Sequence, residues 1–163
     1  MSTDTNLKAA FAGESQANRR YLAYAKKADQ EGFGQVAKLF RAAADAETVH
    51  ALKHLSVLEG VGATADNLKD AVKGETYEFD QMYPEFLKEA RAEENKAAAN
   101  SFFRANEVEK IHAGLYQLAL DNLGNNTQVE YYVCQVCGNT VEGEPPDICP
   151  ICSSKKEDFK LID

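Results

Sequence analysis

The chain has 163 residues, enough for a moderate domain plus a small metal-stapled one. Its 44% hydrophobic and 27% charged content is ordinary for a soluble globular protein and excludes a disordered chain. A formal charge of -8 disfavours nucleic acid and anionic membrane as partners, since both need a basic face. No apolar run approaches the ~20 residues of a membrane span. Residues 1–6 are polar and lack an apolar signal core, so the expected location is cytoplasmic.

Residues 4–123 are rich in Ala, Leu, Glu and Lys with Pro84 as their one proline, a composition that predicts helix. A first helix is expected over about 4–30, ending before Gly32 and Gly34, and a second over about 35–59, ending at Gly60-Val61-Gly62. A third starts near Ala65 and passes through Pro84 with a kink. A fourth spans about 95–123 and stops at Gly124. Four long helices with short connections predict a four-helix bundle over 1–124. Residues 125–130 form a polar linker. Residues 131–163, with all four cysteines and three of the four prolines, predict a small domain of loops and short strands.

The helical segment repeats itself. Tyr21 and Tyr83, Glu47 and Glu109, and His50 and His112 are each 62 residues apart, whereas Glu14 and Glu75 are 61 apart. This predicts two related helix hairpins. Glu47-Thr48-Val49-His50 and Glu109-Lys110-Ile111-His112 are both Glu-x-x-His. At about 100° per residue, positions i and i+3 share a helix face, so carboxylate and imidazole reach one ion. The other two helices offer Glu14 and the pair Glu75 and Glu78. A Glu from each of two helices with Glu-x-x-His from the other two is a di-iron carboxylate constellation. Such oxygen-rich ligation suits iron or manganese better than zinc or copper. Glu107 is a competing carboxylate beside Glu109, and His54 is expected to be an ordinary surface histidine.

Cys134-Gln135-Val136-Cys137 and Cys149-Pro150-Ile151-Cys152 are two Cys-x-x-Cys knuckles, and their four thiolates predict a tetrahedral cage. Spacing alone admits zinc as readily as iron. The flanks, Tyr131-Tyr132, Gly138, Cys-Pro-x-Cys and Phe159, resemble the rubredoxin pattern and favour iron.

With Ala-Gly-Glu-Ser-Gln-Ala at 12–17, Gly-Glu-x-x-Glu at 74–78 and Met-Tyr-Pro at 82–84, the whole chain resembles the rubrerythrin family. The resemblance implies a ferritin-like four-helix di-iron bundle followed by a rubredoxin-like domain. It implies that Glu14, Glu47, Glu75, Glu78, Glu109 and His112 ligate two irons, and that His50 exchanges with Glu78 as one iron changes oxidation state. Tyr21 and Tyr83 match tyrosines beside the cluster, and Cys134, Cys137, Cys149 and Cys152 match the ligands of a single iron, with zinc as a possible substitute. The implied activity is a peroxidase that reduces hydrogen peroxide to water. Its electrons would come from an external NAD(P)H-dependent reductase or rubredoxin, since no nucleotide-binding glycine fingerprint follows a strand. The implied assembly is a homodimer, with helix exchange between chains left open. Ferroxidase or iron-handling activity and a non-catalytic electron carrier are the alternatives. In one departure, Asn139 stands where rubredoxins usually carry an aromatic residue, which predicts looser packing around the iron. The loop between the knuckles is also short for a free-standing rubredoxin.

Overall fold

The computed structural model describes residues 2–163, which form two compact units, Met1–Gly62 and Ala63–Asp163. Among the described residues no helix is long and apolar enough to cross a membrane.

The first unit is a hairpin of α1 (Thr3–Gln30) and α2 (Gly34–Val57). Ser2 caps α1 by accepting from the Thr5 N–H. The helix ends where Gly32 adopts φ +83, a left-handed conformation that lets the Phe33 N–H reach back to the Ala28 carbonyl. The seam is lined by buried alanines: Ala17, Ala25 and Ala28 on α1, and Ala37, Ala44 and Ala51 on α2. Small side chains let the two backbones approach closely. Asn18 exploits this by donating to the Ala44 carbonyl at 2.7 Å and to Thr48 Oγ1 at 2.8 Å.

The second unit begins with α3 (Thr64–Tyr77), which runs through a π turn at Glu78–Met82 into α4 (Tyr83–Ala92). Proline at 84 lacks the N–H that would close an α-helical bond to residue 80, and the wider π register absorbs that loss. The Tyr83 N–H accordingly bonds to the Glu78 carbonyl, five residues back. The chain stays helical through Pro84 as expected, but the irregularity lies before the proline and contains Glu78. Asn95 caps α5 (Lys96–Asp121) by accepting from the Ala98 N–H. A three-stranded antiparallel sheet follows, in the order β2-β1-β3, formed by β1 (Tyr131–Cys134), β2 (Thr140–Glu142) and β3 (Phe159–Ile162). Its register pairs Val133 with Thr140 and Cys134 with Phe159. Cys134, Cys149 and Phe159 form its small core.

The sequence repeat has a structural counterpart. Tyr21, Tyr24 and Phe40 cluster in the first hairpin, and Tyr83, Phe86 and Phe102, each 62 residues later, cluster in the second. The ring separation is 5.5 Å for Tyr24–Phe40 and again for Phe86–Phe102. Ala25, Ala28, Ala44 and Ala51 are buried, and so are Leu87, Ala90, Asn106 and Ala113 at the same spacing. The change of offset from 61 at Glu14/Glu75 to 62 at Tyr21/Tyr83 has a direct cause. A π turn holds one residue more than the α-helical turn it replaces, and it falls between Glu75 and Tyr83.

Candidate metal centres

Three groups of side chains in the described residues converge as metal-binding sets, with ligand atoms all within 4.8 Å of one another. In the first hairpin they are Glu14, Glu47 and His50. Glu47 Oε2 lies 2.8 Å from His50 Nδ1, the i,i+3 geometry of Glu-x-x-His. The Glu47 side chain is 19% exposed and that of His50 is 55% exposed.

The second group is Glu75, Glu109 and His112, from α3 and α5. His112 Nδ1 lies 2.8 Å from Glu109 Oε2 and 3.8 Å from Glu75 Oε1. Burial raises the pKa of Glu75, helped by its hydrogen bond to Glu109 and the Glu109 charge. Burial likewise raises Glu109, with the Glu78 charge adding to it. Carboxylates pressed together in this way favour a cation between them. Glu78 stands outside the tight triad. Burial and the Glu75 charge nonetheless raise its pKa, which places it within electrostatic reach. Tyr83 borders the same cluster: burial first, then the charges of Glu109, Glu78 and Glu75, hold its phenol protonated above the ordinary range. Tyr21 packs its ring on Tyr24 and Phe40. Glu107 is instead paired with Lys110.

The third group is Cys134, Cys137, Cys149 and Cys152, all unbridged. Cys134 Sγ and Cys152 Sγ are 3.7 Å apart, and Cys137 Sγ and Cys149 Sγ 3.6 Å. Four sulfurs roughly 2.3 Å from a central ion define a tetrahedron with edges of about 3.8 Å, so the set fits one metal ion. Burial opposes ionisation of Cys152, but hydrogen bonds from the Ser154 hydroxyl and backbone outweigh it and bring the thiol down to about 6. Burial pushes the Cys137 thiol up. Ser154 Oγ also lies 3.1 Å from Cys134 Sγ.

One residue absent from the sequence motifs links the cage to the helical site. Thr140 Oγ1 donates to the Gly138 carbonyl at 3.1 Å, which leaves its lone pairs to accept from His112 Nε2 at 2.9 Å. His112 then carries its proton on Nε2 and presents Nδ1 toward Glu109 and Glu75, the arrangement a metal-ligating imidazole needs. Gly138, at φ +86, faces the buried Val108 of α5 across this contact, 3.7 Å from where a Cβ would sit. Thr140 lies 28 residues from His112 in sequence, so no local motif announces it. Thr140→Val keeps the shape and removes the hydroxyl. We expect it to weaken metal binding at the Glu75–Glu109–His112 group about 10- to 100-fold. Metal titration of the variant checks this, and an unchanged affinity would refute the role.

The expectation of looser packing at Asn139 is not met. Asn139 is 1% exposed, and its side-chain amide donates to Cys149 Sγ at 3.7 Å. The amide occupies the place of an aromatic ring by hydrogen bonding into the cage rather than by filling volume.

Paired helices bearing carboxylate–histidine triads, followed by a four-thiolate knuckle domain, define a ferritin-like protein built for two kinds of iron site. Residues 5–120 match the family model described as rubrerythrin, and residues 132–160 match the rubrerythrin rubredoxin-like domain. The chain belongs to the rubrerythrin family. It is 38% identical to rubrerythrin-2 of Clostridium acetobutylicum, over 96% of this chain and 94% of that protein. It is 37% identical to nigerythrin of Nitratidesulfovibrio vulgaris, over 97% of this chain and 85% of that protein. Among solved structures it is similar to fully reduced, all-ferrous nigerythrin, with a TM-score of 0.61 and 34% identity, covering 99% of this chain and 87% of that one. Its carboxylate–histidine groups and four-cysteine cluster provide for the di-iron and rubredoxin-like sites of that family.

Proposed function

We propose that this chain is a peroxidase, reducing hydrogen peroxide to water with electrons that enter one at a time through the four-cysteine iron. Glu14, Glu47, His50, Glu75, Glu109 and His112, together with Glu78, are the proposed holders of the two-iron centre. When bound, the irons supply the two electrons of H2O2 + 2 e⁻ + 2 H⁺ → 2 H2O. The chain's own groups manage charge and protons around that reaction. Glu78, free of the tight triad and with a raised pKa, is the carboxylate most able to change position as the charge changes. Tyr83, held protonated beside three carboxylates, keeps its phenolic O–H available as a hydrogen-bond donor. Tyr21 takes the matching place in the first hairpin.

The observation that carries the reading is the His112–Thr140 hydrogen bond, because it puts a proposed ligand of the helical site in direct contact with the knuckle domain. A storage protein needs no such electron inlet. The relatives support iron in changing oxidation states, since nigerythrin has been solved in mixed-valence and all-ferrous forms. An external NAD(P)H-dependent reductase or rubredoxin is the proposed donor. A homodimer is the proposed assembly, supported by exposed apolar residues on the helices, including Leu39, Val49 and Leu52. A monomeric mass in sedimentation would remove it.

Stopped-flow oxidation of the fully reduced protein tests the activity. Peroxide should consume two electrons per molecule and react far faster than air. Oxidation by oxygen as fast as by peroxide would point to a ferroxidase instead.

A further inference from the structure

Asn139 touches three of the four cysteines. Its carbonyl accepts from the Cys134 N–H at 2.9 Å, its own N–H donates to Cys137 Sγ, and its side-chain Nδ2 donates to Cys149 Sγ. The side chain is 1% exposed, and its Oδ1 is buried with no hydrogen-bond partner. An unsatisfied buried amide oxygen is costly, and native structures tolerate few of them. An amide present only to fill space would gain by turning its oxygen toward a donor. Here the positive end of the amide dipole faces sulfur, and the negative end points away into the interior, where no donor screens it.

We propose that Asn139 sets the reduction potential of the four-cysteine iron, holding it above the value the same cage would have with an apolar or aromatic residue at this position. A ferric ion with four thiolates carries one net negative charge, and the ferrous form carries two. One electron enters, no bond breaks and no proton is required. The added charge is spread onto sulfur, so a donor aimed at Cys149 Sγ stabilises the reduced form more than the oxidised one. An aromatic ring offers no such donor. Asn139 is a positioning residue in this account, because it acts on the metal through the thiolates it touches. A higher potential makes the cage a better acceptor from an external donor and limits how strongly it drives the helical site.

The inference rests on iron occupying the cage, and the experiment separates the two claims. The iron-loaded full chain and its Asn139→Leu and Asn139→Asp variants are titrated spectroelectrochemically on the thiolate-to-iron charge-transfer band. Leucine removes the amide at similar volume, whereas aspartate keeps the shape and sets a carboxylate against the thiolates. At the midpoint potential of the parent, the ratio of reduced to oxidised cage should fall about tenfold in Asn139→Leu, equivalent to about 59 mV for a one-electron couple. Asn139→Asp should fall further. A parent without the charge-transfer band would take down the iron reading and this inference with it. A parent with the band and an Asn139→Leu variant of equal midpoint would overturn this inference alone. So would failure of both variants to hold iron that the parent holds, since the residue would then be purely structural.

Discussion

Glu109→Ala is expected to cost at least about 100-fold in the rate at which peroxide oxidises the reduced protein. Glu109 is the least exposed member of its triad, at 16%, and it joins the other two, lying 2.8 Å from His112 Nδ1 and sharing a hydrogen bond with Glu75. Loss of a group that merely orients a metal ligand costs 10- to 100-fold, so loss of a proposed ligand should cost no less. The same substitution should have the opposite sign on the stability of metal-free protein. The folded pKa values of Glu75 and Glu109 lie above their ordinary value of 4.5. The metal-free fold therefore binds more protons than the unfolded chain as pH rises from that value through the raised ones, and it loses stability across that window. Glu109→Ala removes one of the two crowded carboxylates, so the metal-free variant should unfold at higher temperature than the parent above this window. An ordinary half-buried residue would show no such reversal. Stopped-flow kinetics and thermal melts with and without iron check both parts, with the charge-transfer band of the cage confirming that each sample is loaded. A variant that reacts at the parent rate would overturn the assigned site.

Much of the helical site was legible because its signals are local or periodic. Glu-x-x-His is a property of one helix face, and duplication at 62 residues marks both copies. The shift from 61 to 62 was also visible in the sequence, but it needed the π turn to acquire a meaning. Pro84 suggested a kink, whereas the structure widens one turn just before it, at the segment that begins with Glu78. Thr140 was not legible, because its contact with His112 depends on how the sheet lies on α5, which no spacing rule encodes. Asn139 was legible as a departure but not as a device. Substitution of an aromatic residue by an amide reads as lost volume, and the direction in which the amide points is decided by tertiary packing. The hairpin seam of buried alanines was hidden for a related reason: alanine is common on every face of these helices, so its pattern does not separate seam from surface.

Stripping metal from the four-cysteine cage is expected to unfold residues 131–163 while leaving the helices largely intact. Three strands of four, three and four residues surround a core of Cys134, Cys149 and Phe159, and two of those three are proposed ligands. A segment this short, below about 40 residues, buries too little apolar surface to hold itself together without a metal or disulfides. Structural metal in comparable four-ligand modules contributes on the order of 10–16 kcal/mol, far more than this core can supply. Hydrogen exchange should therefore show protected amides at Tyr131–Cys134 and Phe159–Ile162 in the loaded protein and rapid exchange after chelation, with helical circular dichroism retained. Protection that survives metal removal would show that the sheet stands on its own packing. The consequence reaches beyond the sheet, because Thr140 belongs to β2 and β2 is held in place through β1. Once the strands part, His112 loses the acceptor for its Nε2 proton. Chelation at the cage should then weaken the Glu75–Glu109–His112 group as Thr140→Val does, by about 10- to 100-fold. The two metal centres are thus coupled through one hydroxyl.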